Sequence, residues 1–207
     1  MRDTRGREYT SQNVRMQNAW WKRLLHVQMP YRWNLRRLEP GFTLDVGCGI
    51  GRNLAHLDAR GVGIDHNPHS VQVARSRGFR AFLPEAFLRS EYAVPGRFDS
   101  MLLSHVAEHM TRADAALLVR RYLPYVKDGG SVIFMTPQER GFRRDHTHVQ
   151  FMDFEEIESV CSEVGLMPMR RFSFPLPRAF GKLFTYNEFV IVARKRRKHE
   201  TRDERTG

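Results

Sequence analysis

Cysteine is almost missing from this chain: of 207 residues only Cys48 and Cys161 carry a thiol. Two thiols cannot build a disulfide framework, so a reducing compartment is expected and the cytoplasm is the natural one. There is no apolar run of about 18 residues, the length a membrane-spanning helix needs. The Arg-rich start also lacks the apolar stretch of a secretory signal. Acids are scarce at both ends. Residues 1–37 hold nine Lys/Arg and two acids, residues 194–207 hold seven and three, and the 156 residues between hold 18 of each, so the net charge of +11 is wholly terminal. A neutral body argues against an enzyme whose whole face tracks nucleic acid, although basic arms suit docking on phosphates. The length fits one domain with a sizeable core.

What is present centres on residues 42–54, FTLDVGCGIGRNL. Phe42, Leu44 and Val46 supply the apolar positions of a short buried strand, and Gly47, Gly49 and Gly51 then remove side chains where a helix should start. Strand, glycine turn and helix form a nucleotide-site layout. Glycine permits positive φ and close backbone approach, and the N–H groups of a helix start favour polar or anionic ligand atoms. The dinucleotide fingerprint G-x-G-x-x-G lacks its third glycine here, because Arg52 stands in that place, and Asp45 ahead of the first glycine is foreign to it.

The stretch resembles motif I of the class I S-adenosylmethionine (SAM) methyltransferases, D-x-G-x-G-x-G, which wraps the methionine part of the cofactor. The resemblance implies cofactor contacts from Asp45, Gly47, Cys48, Gly49, Gly51 and Asn53. Gly61-Val62-Gly63-Ile64-Asp65 reads as a second strand ending in a carboxylate 18 positions after Gly47. An acid about 20 residues on suits a ribose diol. Asp65-His66-Asn67-Pro68 resembles the family's D-x-N-P continuation, which adds Asp65 and His66 to the implied cofactor site. Pro84-Glu85-Ala86-Phe87 sits where the family places an acid for the adenine amino group and an apolar residue for its ring. Glu85, in place of the commoner Asp, and Ala86 are implied there.

Strands are expected at 42–46, 61–65, 79–83, 98–103, 131–135, 172–174 and 188–193. Helices are expected at 53–60 and 70–77, from Thr111 or Asp114 to 126, and from a capping box at Asp153 and Glu156 to 164. The two types alternate until the final strand pair, and the resemblance spans residues 42–193. Together they imply an α/β fold: a Rossmann-like, doubly wound seven-stranded sheet, mostly parallel with an antiparallel last strand, and N-terminal cap helices. Residues 1–40 are read as basic, aromatic cap helices at 11–29 and 31–38, residues 41–194 as the methyltransferase domain, and 195–207 as a basic solvated tail. The Trp-bearing helix also suits weak contact with an anionic membrane surface.

In an open α/β sheet, ligands lie beyond the carboxyl ends of the strands. The fourth strand delivers Ser104-His105-Val106-Ala107-Glu108-His109 to that edge, and Ser104 is implied as a cofactor contact. The segment resembles the H-x-x-E-H or E-x-x-E-H of small-molecule methyltransferases, including ubiquinone-pathway O-methyltransferases and small-RNA 2′-O-methyltransferases. In those groups the Glu-His pair, an upstream acid and a distant histidine can hold a divalent ion. Glu108 and His109 match and His146 or His148 suits the distant ligand, but His105 replaces the upstream acid, so no metal is expected. Methyl transfer from a sulfonium chiefly needs alignment, and a hydroxyl or amine acceptor also needs a base. His105 is the first candidate for that base and His148 the second. The resulting expectation is a SAM-dependent methyltransferase acting on the oxygen, or the nitrogen, of a small-molecule or lipid-linked acceptor. RNA methylation through the basic termini and a non-catalytic SAM-binding regulator are the alternatives.

Overall fold

Seven strands, β1 (Thr43–Val46), β2 (Gly61–Ile64), β3 (Ala81–Phe82), β4 (Phe98–Ser104), β5 (Val126–Pro137), β6 (Leu166–Phe174) and β7 (Glu188–Lys195), form one sheet in the order β3-β2-β1-β4-β5-β7-β6. They are seen in a computed structural model that describes residues 29–197. All of the helix read at 11–29 but Met29, the membrane contact assigned to it and the tail from 198 lie outside the described residues. The chain divides into two compact units, Met1–Ala93 and Val94–Gly207.

The first unit holds α1 (Met29–Arg37), β1 (Thr43–Val46), α2 (Arg52–His56), β2 (Gly61–Ile64), α3 (Pro68–Ser76), β3 (Ala81–Phe82) and α4 (Pro84–Leu88). β1 and β2 run parallel from Thr43↔Gly61 to Val46↔Ile64, and all eight positions are buried. The helix after the glycines is shorter than the apolar pattern suggests, because Asp58 and Ala59 turn left-handed at φ +53° and +59°. α3 starts two residues earlier than expected. Asn67 caps it by accepting from the His69 and Ser70 N–H groups at 3.0 and 3.2 Å, and Pro68 fills the first turn, where a missing N–H costs nothing. On α1, Leu35 is buried while Arg36 Nε donates to the His56 carbonyl at 3.0 Å and Arg32 and Arg36 pair with Asp58. The arginines of this cap helix therefore tie it to the end of α2.

The second unit holds β4 (Phe98–Ser104), α5 (Arg112–Tyr122), β5 (Val126–Pro137), α6 (Glu139–Arg144), α7 (Phe154–Glu163), β6 (Leu166–Phe174) and β7 (Glu188–Lys195). Thr111 and Asp153 cap α5 and α7, each accepting from the N–H three residues on. β5 absorbs the expected 127–130 turn, and the slack appears as a register shift between Phe98 and Ser100. β6 is six residues longer at its start than its apolar residues suggest, since Met169, Arg170 and Arg171 face solvent on this edge strand. β7 is antiparallel to both β5 and β6. It also takes in the first residue read as tail: Lys195 pairs with Leu166, donates from Nζ to the Val126 carbonyl at 2.7 Å and meets Asp128 at 3.2 Å.

Candidate active site

In the first unit the glycine loop is the centre. Gly47, Gly49 and Gly51 all lie in the left-handed region, at φ +78°, +52° and +82°, which side-chain-bearing residues seldom enter. The loop is tied to β2: Gly47 and Cys48 N–H donate to the Ile64 carbonyl at 2.7 and 3.0 Å, and Gly49 N–H donates to Asp65 Oδ2 at 2.8 Å. Asp65 Oδ1 accepts from the Asn67 N–H, so this carboxylate organises both the loop and the start of α3. A Cβ added to Gly49 would meet nothing within 4 Å, so the backbone there faces open space. Asp45 is wholly buried in β1. Asn53 Nδ2 lies 3.5 Å from its Oδ1, and its Oδ2 has no hydrogen-bond partner among the described residues. Burial pushes the Asp45 carboxyl up to about 7, despite the opposing Asn53 contact and the Arg52 charge. A buried carboxylate oxygen lacking a donor is a place for a cationic or N–H-bearing ligand group.

In the second unit the carboxyl end of β4 carries a cluster of two carboxylates and three imidazoles. His105 follows Ser104 with φ +58°, its N–H bonded to the Met135 carbonyl at 2.9 Å. Its Nε2 meets Glu188 Oε1 at 2.8 Å and its Nδ1 meets Glu108 Oε1 at 3.2 Å. Burial opposes the charged imidazolium, but the two carboxylates outweigh it and carry the His105 pKa up to about 9. The neighbouring ring, His109, has Nδ1 near the Thr147 carbonyl at 3.3 Å, and His148 has Nδ1 near the Phe142 carbonyl at 2.7 Å. A carbonyl only accepts, so both Nδ1 atoms carry a proton and Nε2 is the nitrogen each ring turns to other partners. Burial lowers the His109 pKa, against the opposing charge of Glu108. One donor atom each from Glu108, His109 and His148 lies within 4.8 Å of the others, and Glu108 is fully buried with neither oxygen in a well-aligned hydrogen bond. Two imidazoles and a buried carboxylate are a donor set for a divalent ion.

A family described as a methyltransferase domain matches residues 20–170. The chain belongs to the class I SAM-dependent methyltransferases. This methyltransferase is 31% identical over 144 residues to a ubiquinone biosynthesis O-methyltransferase of Methylobacterium sp. (strain 4-46), a match covering 56% of the chain and 57% of the relative. It thus spans little more than half the length of that relative. Among solved structures, a SAM-dependent methyltransferase from Archaeoglobus fulgidus shares its fold with a TM-score of 0.63 at 19% identity, covering 80% of this chain and 93% of that one. A TehB-like SAM-dependent methyltransferase from Corynebacterium glutamicum has a TM-score of 0.63 at 16% identity, covering 93% of this chain and 100% of the other.

Several residues of the methyltransferase sit differently from expectation. Cys48 packs its side chain in a core cluster with Leu54, Val71, Ala74 and Ala81, while its N–H donates to the Ile64 carbonyl of β2 and its carbonyl accepts from the Gly51 N–H. His105, the first candidate for the base, has both ring nitrogens engaged, Nδ1 by Glu108 and Nε2 by Glu188. His66 is half exposed with Nδ1 3.8 Å from Asp65, Glu85 is exposed on α4, Ala86 is half-buried beside buried Phe87, and Ser104 is buried as the last residue of β4. Of the two distant histidines, His148 joins the cluster and His146 is exposed. Sequence reasoning overlooked Glu188. An antiparallel last strand begins at the edge where parallel strands end, so an acid at its first position was a signal available in advance.

Proposed function

We propose that this methyltransferase moves the methyl group of SAM to an oxygen of a small-molecule acceptor. Residues 47–51 would seat the cofactor, and the cluster past β4 would take the acceptor's proton. The observation that supports the seat most directly is the glycine loop with open space at Gly49, flanked by Asp65 and by the orphaned oxygen of Asp45. Asp65 keeps lone pairs for the ribose hydroxyls, and Asp45 Oδ2 offers an acceptor for the ammonium of the methionine part. The named function of the Methylobacterium relative supports oxygen as the acceptor atom. The acceptor oxygen attacks the sulfonium methyl, the C–S bond breaks to release S-adenosylhomocysteine, and the hydroxyl proton goes to His148 Nε2. The Phe142 carbonyl holds that ring in the tautomer with Nε2 unprotonated. Glu108, His109 and His148 also fit a divalent ion; with an ion held there His148 Nε2 would be a ligand in place of the base, and the ion would supply the effect by lowering the pKa of a coordinated hydroxyl.

Labelled SAM offered with a panel of phenols, enols and amines tests the acceptor. Label is expected on oxygen, and His148→Ala should reduce transfer at least ~100-fold. Label found on the amines alone would refute the reading. The donor set is tested apart from turnover by titrating Co²⁺ and following its visible absorption bands. One ion per chain is expected in the wild type and none in Glu108→Gln. No binding at millimolar Co²⁺ would leave proton removal to His148 alone.

SAM affinity should also depend on pH. Asp45 in the free protein titrates at about 7, and an ammonium beside it favours the carboxylate, so the complex holds fewer protons than the free protein below that pH. The SAM Kd is therefore expected to fall as pH rises towards 7, by up to about tenfold per pH unit, and then to level. Calorimetry in two buffers of different ionisation enthalpy reads the released proton directly. A flat Kd between pH 5.5 and 7.5 would show that Asp45 does not meet the ammonium.

A further inference from the structure

Past the end of α3 the chain turns back on the glycine loop. Gly78 ends that helix in the left-handed region at φ +83°, with open space where its Cβ would be, and the turn brings residues 77 and 79 to residues 50 and 51. Arg77 Nη1 donates to the Ile50 carbonyl at 2.6 Å across 27 positions of sequence. Phe79 walls Gly51: an added Cβ there would lie 2.5 Å from the ring's Cδ2. The Arg77 guanidinium also rests over the Phe79 ring, 5.4 Å from its centroid. On its other flank the loop is tied to Ile64 and Asp65, so it is held from both sides.

Holding matters because glycine-rich backbone has much freedom to lose. A loop left loose would surrender that freedom on binding, whereas one already fixed spends less of its binding free energy on being ordered. We propose that Arg77 is a positioning residue for the cofactor loop: braced on Phe79, its guanidinium holds the Ile50 carbonyl and so sets the loop for SAM. The inference rests on residues 47–51 being the cofactor's seat. Its contact is with the loop backbone, so it would act through Ile50 and Gly51.

The experiment measures the Kd for S-adenosylhomocysteine by calorimetry, amide hydrogen exchange across residues 47–54, and the melting temperature of the free protein. Arg77→Met, which keeps the stem and loses the donor, is expected to raise Kd about tenfold and to speed exchange in the loop. Its free-protein melting temperature should move by no more than about 3 °C. Arg77→Lys, which keeps a charged donor, should stay within about threefold of wild type. A purely structural arginine would lower the melting temperature and leave Kd alone. Asp65→Ala serves as the control for the seat. If Asp65→Ala weakens binding and Arg77→Met does not, Arg77 is no positioning residue. If neither weakens it, residues 47–51 are not the seat and the inference falls with that reading. Should Arg77→Met fail to fold, Phe79→Leu removes the brace and is expected to shift Kd and exchange in the same direction; wild-type values in that variant overturn the proposal.

Discussion

His105→Ala is expected to cost about 3 kcal/mol of folding stability at pH 7, the low end of the range for removing one partner of a buried ion pair. The side chains of Glu108 and Glu188 are 0% and 9% exposed, and each meets one nitrogen of His105. Without the imidazolium, two buried carboxylates lose their counter-ion. The low end applies because His105 keeps 31% of its own side chain in contact with solvent, which screens the charge. The pH dependence separates charge from packing. Burial alone would lower the His105 pKa, and the two carboxylates raise it from 6.5 to about 9. A folded-state pKa above the unfolded one gives a stabilisation that is complete below about 6.5 and is lost as pH rises through about 9. In urea unfolding, the gap between wild type and His105→Ala should therefore narrow from pH 8 to pH 10. A gap that stays constant would mean that His105 contributes packing and not charge.

Gly49→Val is expected to abolish SAM binding, with a Kd raised more than about 100-fold, for two reasons that act together. At φ +52° a β-branched residue is strained, and the valine would fill the open space that a Cβ at this position faces. The strain also reaches Asp65, which holds the Gly49 N–H at 2.8 Å. Equilibrium dialysis with labelled SAM, alongside circular dichroism to establish that the variant folds, reads the outcome. A folded Gly49→Val protein that binds SAM like the wild type would remove the loop from the cofactor site.

The parts that were legible in advance share one property: their cause is local. The glycines of the loop, the acid at the end of the second strand and the helix starts at Thr111 and Asp153 each depend on residues within a few positions, and the structure has them where spacing places them. Even here locality has limits. Glu156 reads as the second half of a capping box with Asp153, yet its carboxylate accepts from Gln150 at 3.0 Å and faces Arg112, a competition that spacing does not reveal. The early part of β6 was hidden for a related reason. An edge strand with one face in water has no apolar run to announce it, and only pairing with β7 makes it a strand.

The sequence by itself determined the cofactor-type loop, because positive φ at Gly47, Gly49 and Gly51 is a demand on the backbone that only residue type can meet. It also determined that acid and imidazole groups would arrive past the fourth strand. What those groups are was decided only by the tertiary structure. His105 becomes a cation because β7, running antiparallel, brings Glu188 to it from 83 residues away. His148 rather than His146 joins Glu108 because the Val149 N–H bonds the Glu108 carbonyl at 2.7 Å and sets the segment's rotation. Protonation state and ligand grouping depend on desolvation and on partners distant in sequence, and neither exists until the chain has folded.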